Sequence, residues 1–596
     1  MLSLVLNNIF WKINCVMLDK PGSQTQHSLA SSTVKAIAMV MIIGICFGIL
    51  MSIACNAFVL GVDFLFNTRH AFSFLDFYLF ERKISPTPLI TLFFAVFGIL
   101  IIRRIFSIDR WHGPADAIYA AHRTDNELDI KAGFGSTIAA FISAGSGASV
   151  GQYGPLVHFG ATVGSYLRTL TSGNISTDVF IGCGVAGAIA AGFNAPIAGT
   201  IFACESILRH FSLRAVAPVA ITSITSAGIS QIFFGSVNTF SMSGVSPDLI
   251  YLLPLALLTG PIFGILSIVY MVSLQKTAKI ANRLGWTPLK LLTVAAIITG
   301  IVGMFLPEIL GLGIEHIENI LNNGFDVNYL LLLLIGKLVI TSICIGFGMF
   351  GGIFSPALFI GAAGGALFTK VATLLGGAAV GVAIGPGLII CGMAAISSTV
   401  VGTPIAGVLI MLELTMSYEL ALAAMLSVVT SSLVAHLLFG HSFFDKQLLD
   451  RGIDISQGRS KIEMMEQPVK NFATENYISF SENTSVENGI KAMTKSEVSE
   501  AYIVSETQHF LGKVSLHGLL KLKKNEPLKN AFINEPIIIK HDASLQQSIE
   551  IASEFVGESI PVVNKETGKI FGVLSEADLF QVYLSTQNKI TDLEKK

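Results

Sequence analysis

An all-α polytopic membrane domain followed by a smaller α/β soluble domain is the fold class this sequence predicts, and three observations predict it. Only 13% of the 596 residues are charged and 52% are hydrophobic, with a mean hydropathy of +0.68; a soluble globular protein carries about 25% charged residues. The charge is also uneven. Apolar runs broken by Gly, Pro and Ser extend from Val34 to Phe439, and Lys, Glu and Asp return at ordinary density from Asp450 to Lys596. The apolar part, finally, repeats itself.

Several apolar stretches reach the roughly 17–25 residues that cross a bilayer, among them Ala36–Leu60, Leu249–Val272 and Tyr329–Ile345. Others carry Gly and Pro in mid-run, which membranes tolerate only where the backbone is buried in protein or lines a cavity. Interrupted segments at corresponding places in two halves point to a transport site, and such halves are present. Phe193–Glu205 (FNAPIAGTIFACE) matches Val401–Glu413 (VGTPIAGVLIMLE), each with a Glu nine residues after the Pro. Upstream, Pro155 and Pro356 are each followed by glycines at five and nine residues (Gly160, Gly164; Gly361, Gly365). The two motif pairs lie 201 and 208 residues apart. The membrane domain reads as an internal duplication; counting apolar segments does not by itself establish that the repeat is inverted.

These patterns divide the chain into an N-terminal arm (1–32), a membrane domain (33–447, repeats 33–245 and 246–447), a linker (448–466), two tail modules (467–525 and 526–586) and a terminal segment (587–596). The arm has no apolar run ending in a small-residue cleavage site, so it reads as a cytoplasmic arm rather than a signal peptide. The seven cysteines show no CxxC spacing and read as small buried hydrophobes, with no metal site. A net charge of -2 without a basic cluster gives no sign of nucleic acid.

Proline is favoured in the first turn of a helix, where its missing N–H costs nothing. Gly113-Pro114, Gly154-Pro155 and Ser355-Pro356 therefore read as loops that each deliver a helix N-terminus into the bilayer interior. Such ends expose unpaired N–H groups and a partial positive charge. Several together can replace the hydration shell of an anion without a full cation, and flanking glycines let the backbone approach the ion. A cation site would need helix C-termini, carbonyl rings or carboxylates there instead.

Gly151-Gln-Tyr-Gly-Pro155, Gly352-Ile-Phe-Ser-Pro356 and the Asn-Ala-Pro-Ile-Ala-Gly stretch leading to Glu205 carry a resemblance to the CLC family of chloride channels and chloride/proton exchangers. The resemblance covers Val34 to the end of the chain. It implies an inverted repeat of broken helices and a homodimer with one anion pathway per subunit. It also implies chloride or another small anion as the transported species, and a bilayer location with both termini cytoplasmic. The short loops and compact tail suggest a bacterial inner membrane. Positions implied for the anion pathway are Trp111, His112, Gly113, Pro114, Gly151, Tyr153, Gly154, Pro155, Gly352, Ile353, Phe354, Ser355, Pro356 and Phe444.

Several of these depart from the family pattern. The family's G-[K/R]-E-G-P glutamate, which blocks the pore and releases it on protonation, is Tyr153 here. A phenol, with an unperturbed pKa near 10, stays neutral at physiological pH. The proton-passing position after Glu205 reads Ser206, so coupling loses its obvious route. Glu205 itself, matched by Glu413, reads more readily as structural than as a relay. The family's anion-binding serine falls at Trp111, or at His112 if the loop slips by one, and its pore tyrosine aligns with Phe444. Backbone N–H groups near Ile353 and Phe354 remain, with a hydroxyl from Tyr153. Tyr153 as pathway donor and as packed core aromatic both stay open. His112 reads as a satisfied loop histidine rather than a protonatable gate.

The tail aligns as two units, one holding Tyr502–Leu520 and the other Ile560–Leu579, each with a strand, a turn, a second strand beginning at a Gly and a helix start. They resemble a CBS pair, some of which bind adenine nucleotides. The second unit keeps Ser575 and Asp578 where an acid can grip ribose hydroxyls; the first has Gly518 in place of the acid. No cofactor is expected for transport itself. The chain is thus expected to be a non-enzymatic anion conductor, a passive voltage-gated-type channel or uncoupled transporter regulated by its tail. The alternatives are a proton-coupled chloride antiporter and a non-conducting sensor that signals through the tail.

Overall fold

The computed structural model describes residues 26–68, 76–79, 82–123, 126–170, 176–235, 240, 247–322, 324–531 and 536–595. Most of the N-terminal arm therefore lies outside the described residues. The chain divides into two compact units with a boundary between Gly452 and Ile453.

The first unit is nearly all helix. Among the described residues eight helices are long and apolar enough to cross a membrane, including Thr87–Phe106, Leu249–Leu284 and Val327–Gly346. Shorter apolar helices lie between them: Thr177–Phe193, Pro196–Leu208, Gly387–Val401 and Pro404–Thr415. The outward faces carry large apolar side chains such as Phe94, Leu258 and Leu437, as a lipid-facing surface requires. Cys46 is exposed on such a face, against the expectation for the cysteines, while Cys55, Cys183, Cys204, Cys344 and Cys391 are buried as small hydrophobes.

The repeat is real in three dimensions, and its glycines explain how. The helix Tyr153–Thr169 packs on Thr177–Phe193, and Phe354–Ile384, which breaks at Gly377, packs on Gly387–Val401. A Cβ on Gly160 would strike the Gly184 carbonyl and one on Gly164 the Phe180 carbonyl. In the second half a Cβ on Gly361 would strike the Gly392 carbonyl and one on Gly365 the Leu388 carbonyl. The matched glycines are thus the places where two backbones touch, the small-residue packing that membrane helices use in place of a hydrophobic driving force.

Two exchanges tie the halves together. Gly151 and Gly352 form an antiparallel bridge with reciprocal N–H···O bonds of 2.6 Å each. Each repeat's glutamate also caps the other repeat's helix. Glu413 accepts from the Ile197 and Ala198 N–H groups at 2.9 and 2.8 Å, and Glu205 from Ile405 and Ala406 at 3.0 and 2.8 Å. This reciprocity is the mark of a two-fold relation between the halves.

All three prolines stand in the first turn, as expected, though not at the same position in it. Pro114 does open its helix, but the other two begin earlier, at Tyr153 and Phe354, so Pro155 and Pro356 are third in the helix. The first-turn N–H groups all lack an intrahelical partner, so proline is harmless at any of these positions.

In the second unit the sheet Ser479–Ser481, Glu500–Val504, Phe510–Ser515 has its first pair parallel and its second antiparallel. Ile539–Lys540, Ile560–Val563 and Ile570–Leu574 repeat that topology. The second strand of each hairpin starts two residues before the glycine expected to open it, at Phe510 and Ile570; Gly512 and Gly572 lie inside, beside a register shift. The stretch expected to be linker holds a helix, Arg459–Glu466.

Candidate functional site

Three helix starts meet in the first unit. A Cβ on Gly154 would lie 2.9 Å from Gly352 Cα and 3.8 Å from Pro114 Cδ, so the Pro114, Tyr153 and Phe354 helix ends converge beside the Gly151–Gly352 bridge. Gly113 N–H is held by Asp116 Oδ2 at 3.0 Å, and Asp116 also takes Arg110 in two bonds of 3.1 and 2.6 Å and Arg451 at 2.8 Å. An acid in the first turn satisfies free N–H groups and opposes the helix dipole. Asp116 was missed in the sequence, although an acid two residues after a helix-opening proline is a recognisable signal.

At the meeting point the side chains are aromatic. Tyr153 stacks on Phe193 with centroids 3.5 Å apart and an interplanar angle of 14°, and Phe354 stands edge-on to both at 5.8 and 5.3 Å. All three rings are buried. The Tyr153 hydroxyl donates to the Gly192 carbonyl at 3.4 Å. Of the two sequence readings of Tyr153, the packed aromatic describes its ring. Phe193, forty residues away in sequence, carried no signal of its role. Ser355 Oγ is buried without a hydrogen-bond partner among the described residues, and Ile353 offers its carbonyl to Tyr270 Oη at 3.3 Å.

The other predicted positions lie on separate elements. The Trp111 ring folds over Gly113, where a Cβ would meet it at 2.6 Å, and its indole N–H has no partner among the described residues. His112 donates its backbone N–H to Ser136 Oγ at 3.3 Å, and its ring is 6.1 Å from that of the buried His158. Phe444 is buried edge-on to Phe443. Ser206, also buried, lines a cavity of about 280 Å³ together with Glu205, Gly402 and the Arg209–Asp445 ion pair. Both Glu205 oxygens are engaged by the backbone of the second repeat, as a structural residue's would be.

In the second unit, Asp578 Oδ2 accepts from the Ser575 N–H and hydroxyl at 3.0 and 2.7 Å, and Ser575 Oγ accepts from the Asp578 N–H at 3.1 Å. Within the first module Lys513 pairs with Glu500 at 2.5 Å, and across to the second it donates to the Ser559 carbonyl at 2.9 Å. Tyr502 bonds Ser559 Oγ at 2.6 Å, and burial pushes its phenol up to about 12. With Asp578 used as a helix cap, Asp578→Ala should loosen the first turn of Glu576–Lys595 by about 1 kcal/mol. Faster amide exchange confined to that turn in the full chain checks this.

Comparison with known proteins places these features in a family. Residues 89–436 match the voltage gated chloride channel family model, and residues 469–525 and 529–585 each match the CBS domain. The H(+)/Cl(-) exchange transporter ClcA of Vibrio vulnificus is 31% identical over 320 residues, covering 52% of this chain and 67% of that one. Among solved structures, a slow cyanobacterial Cl-/H+ antiporter superposes with a TM-score of 0.60 at 21% identity, covering 69% of this chain and 97% of the other. A eukaryotic CLC transporter superposes with a TM-score of 0.58 at 16% identity, covering 90% and 97%. This multi-pass membrane chain, with its duplicated, glycine-packed helices and its two tail modules, belongs to the voltage gated chloride channel family and carries a C-terminal CBS pair.

Proposed function

We propose that the chain moves chloride or another small monovalent anion passively, through the convergence of the Pro114, Tyr153 and Phe354 helix starts. The observation that carries this is the chemistry around Tyr153: converging backbone ends and aromatic rings, with a phenol in place of a carboxylate. Unpaired N–H groups and the positive edges of aromatic rings both favour an anion. Trp111, with its unpartnered indole N–H, and Phe444 would border the path. The protein would act as a homodimer in a bacterial inner membrane with both termini cytoplasmic. The CBS pair would regulate it, with an adenine nucleotide as the candidate ligand at Ser575 and Asp578.

A proton-coupled antiporter is the second reading, favoured by the name of the Vibrio relative. Against it stand Tyr153 and Ser206 at the two positions where exchange would need a proton carrier, and the engagement of both Glu205 oxygens. Chloride flux in liposomes against an imposed pH gradient separates the two. The passive reading expects chloride movement without protons in fixed ratio, and Tyr153→Glu should lower that flux about tenfold near neutral pH by placing a competing charge in the path. Proton movement locked to chloride in the unaltered protein would establish exchange. Absence of flux from folded protein would favour a sensor.

A further inference from the structure

The helix ends around the Tyr153 ring do not all favour an anion. Tyr153 and Phe354 are the first residues of their helices, the ends that carry partial positive charge. Phe193 is the last residue of Thr177–Phe193, so that helix brings its negative end, and the Gly192 carbonyl faces the Tyr153 hydroxyl at 3.4 Å. The glycine N–H groups at the meeting point are taken. Those of Gly151 and Gly352 bond to each other's carbonyls at 2.6 Å, and that of Gly113 bonds to the Asp116 carboxylate at 3.0 Å. One hydroxyl stands ready: Ser355 Oγ, without a hydrogen-bond partner among the described residues, lies 3.1 Å from where a Cβ on Gly151 would sit. The rest of the wall is the rings of Tyr153, Phe193 and Phe354, none more than 6% exposed.

Such a place holds an anion with a weak field, made of a neutral hydroxyl, the helix-start N–H groups that remain, and the positive edges of rings. An ion that passes among buried rings gives up its water, and the cost of doing so falls as the ion grows and its charge spreads. Coordinating groups of high field strength offset that cost for a strongly hydrated ion. Groups of low field strength do not, and selection then follows the cost of dehydration. We propose that the Tyr153–Phe193–Phe354 cluster makes this chain selective for large, weakly hydrated monovalent anions, of the class of nitrate, iodide and thiocyanate, over chloride and above all over fluoride. The ring stack is the element that determines specificity. Tyr153 and Phe193, in contact at 3.5 Å, admit an ion only by parting, and the ion then meets ring carbon and hydrogen in place of water.

The specificity rests on the anion reading of the Tyr153 region, and the test separates the two. Full-length protein is reconstituted in liposomes loaded in turn with the potassium salts of fluoride, chloride, nitrate, iodide and thiocyanate. Efflux is recorded with valinomycin present, and protein-free liposomes give the background. Nitrate and iodide should leave about tenfold faster than chloride, and fluoride more slowly than chloride. Phe193→Ser exchanges a ring for a hydroxyl and should lower the iodide-to-chloride ratio about tenfold, to near one, because a hydrogen bond to a charged group favours the smaller ion. Phe354→Tyr keeps the ring and adds a hydroxyl; it should lower the ratio in the same direction, and it serves if Phe193→Ser does not fold. Chloride leaving faster than nitrate and iodide from the unaltered protein overturns the proposal and keeps the anion reading. An unchanged ratio in the folded variants overturns it too. No flux of any of these anions from folded protein overturns both.

Discussion

Replacing Gly160 or Gly361 by alanine is expected to destabilise the membrane domain by about 3 kcal/mol or more, with the two substitutions nearly equivalent. Each added methyl would overlap a carbonyl of the facing helix, Gly184 for the first and Gly392 for the second. Backbone cannot step aside as a flexible side chain would, so a whole helix must shift, and the packing along Thr177–Phe193 or Gly387–Val401 must shift with it. Gly228 provides the control. It lies inside the Leu213–Phe234 helix with open space where its Cβ would be, so alanine there should be neutral or stabilising by about 0.5–1 kcal/mol. Thermal unfolding in detergent, followed by size-exclusion profile, reads all three. Equal behaviour of Gly160→Ala and Gly228→Ala would mean that the two helices do not depend on close approach.

The same positions show why part of the fold was legible in the sequence. Close packing of two helices demands small residues at recurring places on one face, and the spacing after Pro155 and Pro356 is that demand written twice. The helix starts were legible because proline is tolerated only near them, although not to the residue: any first-turn position serves. What the sequence did not reveal depends on partners far apart in the chain. Tyr153 could be placed near a helix end but not against Phe193, since nothing in either residue's neighbourhood encodes a stacking partner forty positions away. Asp116 is legible in principle, since an acid two residues after a helix-opening proline stands in the first turn of the helix.

Glu205 and Glu413 offer the sharper experiment, because symmetry makes two roles distinguishable. The residues before Pro196 and Pro404, Ala195 and Thr403, make no side-chain cap to their helices. The caps come from the opposite repeat, each glutamate accepting from two consecutive N–H groups. A hydrogen bond to a charged acceptor contributes about 1.5–3 kcal/mol, and burying the abandoned donors adds to the loss. Glu205→Ala and Glu413→Ala should therefore each destabilise by roughly 2–4 kcal/mol on that basis. The glutamine variants should fall between, keeping one carbonyl acceptor and turning an amide NH2 towards a backbone N–H. A purely structural role makes the two sites interchangeable: equal losses of stability, and chloride flux that follows the amount of folded protein. A proton relay would break the equivalence, since only Glu205 shares a cavity with Ser206 and the Arg209–Asp445 pair. If Glu205→Gln abolished a proton flux that Glu413→Gln left intact, at equal folded yield, the cap would be a secondary duty and the chain an exchanger. Equal, purely thermodynamic effects would leave this membrane domain with its two acids holding the repeats together and its anion path built from backbone and aromatic rings.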